Sequence, residues 1–259
     1  MTELAETIAA WRHSLDAVVG LGESLADRDW DAPTECPDWS VRDVYAHLVG
    51  GELWMAAGHP RPERGLAHIA AEPVAARRGR PATEVLEELR EVREVRYRQL
   101  TDAPPDPDEP AYAAWGQPVP LGMLWLHRAF DLWVHEQDIR RAVARPGNLG
   151  SPGARAARAL FIAALPAVVA KRAGAPPGSV VRVTVRGPVP LDHSVRVDAD
   201  GRGRSLPETP DAVTSVLTMG WESFARLACG RIPADRAAAE LTGDVDLGRA
   251  VLTNLSITP

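Results

Sequence analysis

At 259 residues the chain is long enough for one large domain or two ordinary ones, each with a sizeable core. It is 45% hydrophobic and 25% charged, as a globular protein is, and 29 basic against 35 acidic residues leave a net −6 spread along the chain. That balance argues against a nucleic-acid or anionic-membrane surface. The longest apolar run, residues 159–170, is short for a membrane span and contains Pro166. An acidic N-terminus unlike a signal peptide, and two distant cysteines (Cys36 and Cys229) without metal or redox spacing, point to a reduced, cytoplasmic protein.

Residues 3–26 carry Leu4, Ile8, Trp11, Leu15, Val18 and Val19 at three- and four-residue steps, which predicts a first helix. After the loop DRDWDAPTECPDW, Ser40 opens a second helix with Asp43 three residues on, close to a capping box. Val41, Val44, Tyr45, Leu48 and Val49 form its apolar face, and His47 sits inside that pattern. Residues 56–81, rich in Gly, Pro, Arg and His, read as an irregular connection with room for a short helix. A third helix is predicted from about 83 to 100, the stretch TDAPPDPDEP reads as a linker, and a fourth helix runs from Pro120 to near Pro146-Gly147. Four helices joined in this way read as a bundle.

Ser151-Pro152 caps a fifth, Ala-rich helix reaching about Ala173. The period then changes. Residues 179–186 and 194–199 alternate as strands do, 213–219 can form a third strand, and 239–242 a short fourth. Residues 221–229 and 246–255 read as helices. Helices first and a small α+β unit afterwards imply two domains, 1–150 and 151–259.

The fourth helix carries the chemistry. In WLHRAFDLWVHEQDIRR, His127, Asp131, His135 and Asp138 step by four and three and so share one face, while Leu124, Phe130, Trp133, Val134 and Ile139 cover the other turns. A carboxylate and an imidazole at i, i+4 can hold one divalent metal, their Cβ atoms being only about 5–6 Å apart. His47 is the candidate third ligand. Two nitrogens and one carboxylate oxygen suit zinc with an open position, and iron(II) or nickel also accept such a set. Asp138 would orient a ligand or carry a proton. On pattern alone, a hydrogen-bonded core histidine is the commoner reading of His47, and Asp/His pairs recur on exposed helices. His127 is the weaker ligand candidate because Arg128 and its turn read as nearer solvent. Cys36, in a Pro-flanked loop, reads as neither ligand nor nucleophile.

CPDWSVRDVYAHLVGGE, followed much later by FDLWVHEQDIRRAV, resembles the mycothiol-dependent maleylpyruvate isomerase family within the DinB-like metal-binding four-helix bundles. GWESFARLACGR and TGDVDLGRAVLTNLSITP resemble that family's C-terminal domain, which is similar to sterol-carrier proteins. The resemblance implies an α plus α+β fold: an N-terminal DinB-like four-helix bundle and a small α+β C-terminal domain. It implies zinc on His47, Asp131 and His135, although the family usually has Glu where Asp131 stands. It further implies mycothiol as cofactor, its thiol made a thiolate by the metal. That thiolate would add to an activated double bond, permit rotation and leave, or would be transferred to an electrophile. Arg231, with Arg226 behind it, is the candidate for holding a substrate or cofactor carboxylate. The expected partners are therefore a small-molecule substrate and a low-molecular-weight thiol. Two other readings stand beside this one: a thiol-independent hydrolase with Asp138 as base, and a metal-free ligand-binding or regulatory protein.

Overall fold

The computed structural model describes residues 2–103 and 105–258. Helices α1 (Thr2–Glu23) and α2 (Val41–Ala56) are followed by two short ones, α3 (Leu66–Ile69) and α4 (Ala71–Arg77), and by the long α5 (Ala82–Asp102) and α6 (Leu121–Ala142). The four long helices are those the apolar spacing predicts. α1 lies along α6 and α2 along α5, closing a core in which Trp11, Leu15, Leu48, Leu89 and Leu132 are fully buried. α2 starts at a complete capping box: the Ser40 hydroxyl accepts from the Asp43 amide and the Asp43 carboxylate accepts from the Ser40 amide. Such a cap contributes about 1 kcal/mol and fixes where the His47 helix begins.

The connections differ from the expectation in two places. Between the linker stretch 101–110 and the fourth helix, where no element is predicted, lies an antiparallel hairpin, β1 (Pro110–Tyr112) with β2 (Pro118–Pro120). Both strands are three residues long and bounded by proline, so they offer no alternation to reveal them. The irregular connection folds into α3 and α4, and Gly50 lets α4 approach: a Cβ there would lie 2.2 Å from the Pro73 ring.

The chain divides into two compact units, residues 1–156 and 157–259. The division falls within α7 (Pro152–Ala167), inside the interval of about 146 to 178 where the change of period puts a boundary. Its first turn packs on the bundle. A Cβ on Gly153 would meet the Ser14 hydroxyl at 2.3 Å and Trp133 Cβ at 2.8 Å, and Ala156 belongs to the bundle's core.

The second unit is built on a five-stranded sheet of β3 (Val180–Arg186), β4 (Leu191–Val197), β5 (Gly203–Leu206), β6 (Ser215–Gly220) and β7 (Ala239–Gly243). The order is β5-β4-β3-β6-β7, with β3 parallel to β6 and the other pairs antiparallel. Val181, Val183 and Val185 point inward along β3 while Arg182, Thr184 and Arg186 do not, the alternation seen in the sequence. The edge strand β5 lacks that alternation, and the sequence pattern does not predict it. Helices α8 (Trp221–Ala228) and α9 (Val245–Thr253) complete the unit. Residues 152–172, counting the π-helical turn Val168–Arg172 after α7, are long and apolar enough to cross a membrane on length and composition. Within this stretch Phe161, Leu165, Val168 and Val169 are core residues, and Phe161 packs edge-on against Phe224 with ring centres 5.4 Å apart.

Candidate metal centre

The α1–α2 loop is closed on itself. Pro33 and Ser40 form an antiparallel bridge, the Thr34 amide and hydroxyl donate to the Trp39 carbonyl at 3.0 and 2.8 Å, and the Cys36 amide donates to Thr34 Oγ1 at 3.2 Å. Asp38 takes φ 64°, a left-handed conformation that Asp tolerates better than most residues. The loop thereby buries Cys36 and lays the Trp39 ring 5.1 Å from the His47 ring and 6.0 Å from the His135 ring, centre to centre.

Beneath Trp39, His47 from α2 meets Asp131 and His135 from α6. Asp131 Oδ1 lies 3.4 Å from His47 Nε2 and 3.6 Å from His135 Nε2. Ligand atoms held about 2.0–2.2 Å from a tetrahedral zinc lie about 3.3–3.6 Å from one another, so this oxygen and these nitrogens stand at coordination spacing. All three ligand atoms lie within 4.8 Å of one another. His47 and His135 are buried, whereas the Asp131 side chain keeps 28% of its surface, so the trio opens toward solvent at its carboxylate. His47 Nδ1 has no hydrogen-bond partner among the described residues, which sets it apart from a satisfied core histidine. The residues present fit a divalent cation.

Asp131 is also held by Arg128. Its Nη1 donates to Asp131 Oδ2 at 2.8 Å, an oxygen that also lies 3.3 Å from His47 Nε2, while Oδ1 faces both histidines. Arg128 is in turn fixed by Glu52 of α2, Nη2 to Oε1 at 2.7 Å, and Gly51 makes room for it: a Cβ there would lie 2.5 Å from Nη1. The expectation that Arg128 lies near solvent is therefore corrected. It is only 5% exposed, because two carboxylates on facing helices neutralise it. Neither Glu52 nor Arg128 is singled out by the helix pattern, yet each interrupts an apolar column, Glu52 after Tyr45 and Leu48, Arg128 between Trp125 and Leu132. A charge at such a position signals a buried partner.

His127 stands apart from the trio. Its Nδ1 lies 2.8 Å from the Met123 carbonyl, and its ring packs on Trp115. Asp138 is fully buried: Oδ2 lies 3.1 Å from His135 Nδ1 and accepts from the Cys36 thiol at 3.2 Å, while Oδ1 accepts from Arg141 Nη2 at 2.9 Å. This is the arrangement of a carboxylate that orients a ligating imidazole. With no exposed surface and three partners, Asp138 has no route to a water nucleophile, which disfavours its reading as a hydrolytic base. Cys36, expected to play no part, joins this cluster, 3.8 Å from His135 Nδ1.

The electrostatics follow the contacts. Burial opposes the Asp131 charge, but His47, Arg128 and His135 outweigh it and hold the carboxyl well below the usual range. Burial likewise opposes the His135 imidazolium, and its bonds to Asp138 and Cys36 with the Asp131 charge overcome this, raising its pKa to about 10. His47 goes the other way, because burial exceeds the attraction of Asp131. Arg226 and Arg231 lie in the second unit, Arg226 in the last turn of α8 and Arg231 just beyond it, with its Nη1 donating to the Cys229 carbonyl at 2.7 Å.

Residues 11–140 match the family model described as the mycothiol maleylpyruvate isomerase N-terminal domain. The chain belongs to this family. The matched segment carries the whole trio together with Cys36, Arg128 and Asp138, and none of the second unit. Two solved structures of mycothiol-dependent maleylpyruvate isomerase share the fold over nearly the full length. One, a histidine-to-alanine mutant, has TM-score 0.58 at 14% identity over 92% of each chain. The other has TM-score 0.54 at 16% identity, covering 88% of this chain and 90% of that one. No curated protein matches.

Proposed function

We propose that this family member is a zinc-dependent enzyme that uses mycothiol to isomerise a double bond of an electrophilic small molecule between cis and trans, or to transfer sulfur to such a molecule. The observation that carries the reading is the Asp131 oxygen at 3.4 and 3.6 Å from two imidazole nitrogens, with its sister oxygen held by Arg128. A zinc ion held by His47, Asp131 and His135 supplies a Lewis-acidic position that lowers the pKa of a thiol bound there. The chain's own residues do the rest. Arg128 keeps Asp131 turned toward the histidines, Asp138 holds His135 through Nδ1, and Trp39 covers the imidazoles. Family membership and both structural neighbours support the enzyme and its thiol. Both cysteines are buried, and we place the reaction in the reducing cytoplasm.

Metal content tests the reading directly. The protein purified without chelator is expected to carry close to one zinc, lost in His135→Ala, and thiol-dependent turnover of electrophilic alkenes should fall to background with it. Product analysis then separates isomerisation from S-transfer, because only the latter leaves the thiol in the product. Wild-type protein that takes up no metal even when zinc is supplied would sink the proposal, and turnover undiminished without thiol would point to hydrolysis. We further propose that Arg231, with Arg226 second, holds a carboxylate of the thiol or the substrate. Arg231→Ala should then raise KM for one of them by about tenfold, the loss of about 1.4 kcal/mol, with zinc content unchanged. An unaltered KM for both removes Arg231 from the site.

A further inference from the structure

Cys36, Asp138 and His135 form a buried cluster of which the metal trio uses only the imidazole. The thiol can fill space, ligate a metal, or donate a hydrogen bond. Space-filling does not explain a sulfur 3.2 Å from a carboxylate oxygen, nor a loop clamped so as to hold it there. The clamp is specific. Thr34 and Trp39 close the loop, and Glu35, beside Cys36, pairs with Arg141 at 2.7 Å while the same guanidinium reaches Asp138 at 2.9 Å. An ionised carboxylate only accepts, so Asp138 Oδ2 can be shared by the His135 Nδ1–H and the Cys36 S–H. With a cation at the site, His135 would keep the proton on Nδ1, donated to Asp138, and turn its Nε2 lone pair to the metal.

Building on the metal-centre reading above, we propose that Cys36 is a positioning residue: its thiol pins Asp138, and Asp138 holds His135 in the tautomer and orientation that the cation requires. The chain of contacts runs from Cys36 Sγ to Asp138 Oδ2 at 3.2 Å, to His135 Nδ1 at 3.1 Å, and across the ring to Nε2, 3.6 Å from Asp131 Oδ1. Partners beyond the ligands themselves commonly contribute about 10–100-fold to metal affinity, and a residue acting through such a partner belongs at the lower edge of that range.

The test is cobalt(II) titration of the full chain against a competing chelator, for wild type, Cys36→Ser and Cys36→Val. Serine keeps a donor, and valine keeps an apolar volume. Cys36→Val is expected to weaken cobalt binding about tenfold. Cys36→Ser should restore most of the loss, with the visible cobalt bands unchanged in shape. A space-filling role gives the opposite order, valine binding as wild type and serine weaker, and overturns the inference. A sulfur-to-cobalt charge-transfer band in the wild type, absent in Cys36→Ser, also overturns it by making the thiol a ligand. Wild-type protein that binds no cobalt would overturn the metal centre itself, and this inference with it. Equal affinity in all three proteins overturns the inference alone.

Discussion

Glu52→Ala is expected to lower folding stability by about 3–5 kcal/mol, the cost of breaking a buried ion pair from one side. Glu52 has no exposed surface, and its Oε1 receives Arg128 Nη2 at 2.7 Å and Nε at 3.3 Å. Trp11 Nε1 lies 3.2 and 3.3 Å from its two oxygens, and Arg96 Nε lies 3.6 Å from Oε2. Arg96 is as buried as Arg128, with its guanidinium 4.7 Å from the centre of the Trp125 ring. One carboxylate therefore serves two buried guanidinium groups and an indole. Truncating it removes the carboxylate that Arg96 faces and leaves Arg128 with Asp131 alone. Urea unfolding at pH 7 measures the loss, and a change under about 1 kcal/mol would show that the cluster is not held together as described. Glu52→Gln keeps the shape and one acceptor and should fall between. Zinc affinity should drop in both variants, since Glu52 fixes the guanidinium that holds Asp131.

That cluster also marks the limit of what local pattern reveals. Helix positions follow from spacing within one segment, so α1, α2, α5 and α6 are legible in three- and four-residue steps. The cluster of His47, Asp131 and His135 is nearly as accessible, because Asp131 and His135 are i, i+4 neighbours and His47 breaks an apolar face. The groups that support the trio are not, because each depends on a partner far along the chain. Arg128 is buried by Glu52, 76 residues away, and Cys36 meets Asp138 across 102 residues through a loop whose shape is set by Thr34 and Trp39. Local pattern makes a charged residue or a Pro-flanked cysteine look exposed, and only tertiary pairing buries it. The position of the unit division inside α7 is hidden for a related reason: Pro146 and Gly147 follow α6, but the packing of Gly153 and Ala156 on the bundle lies in tertiary contacts.

Asp131→Asn is expected to weaken zinc binding by about a thousandfold, or about 4 kcal/mol, and to remove thiol-dependent activity with it. The change is isosteric, so the effect comes from charge and hydrogen-bond polarity. Arg128 Nη1 only donates, and at 2.8 Å it obliges the new amide to present its oxygen where Oδ2 stood. The NH2 group then occupies the place of Oδ1, 3.4 Å from His47 Nε2 and 3.6 Å from His135 Nε2. A donor now faces the two nitrogens, satisfying their lone pairs and closing the position a cation would take. Asp131→Glu restores a carboxylate one methylene longer and should retain zinc far better than the amide even if its contact with Arg128 shifts. Zinc affinities by chelator competition give the ranking, with circular dichroism confirming that each variant is folded. An Asn variant that binds zinc as tightly as the wild type would exclude Asp131 as a ligand and leave the two histidines without the oxygen that makes them a site.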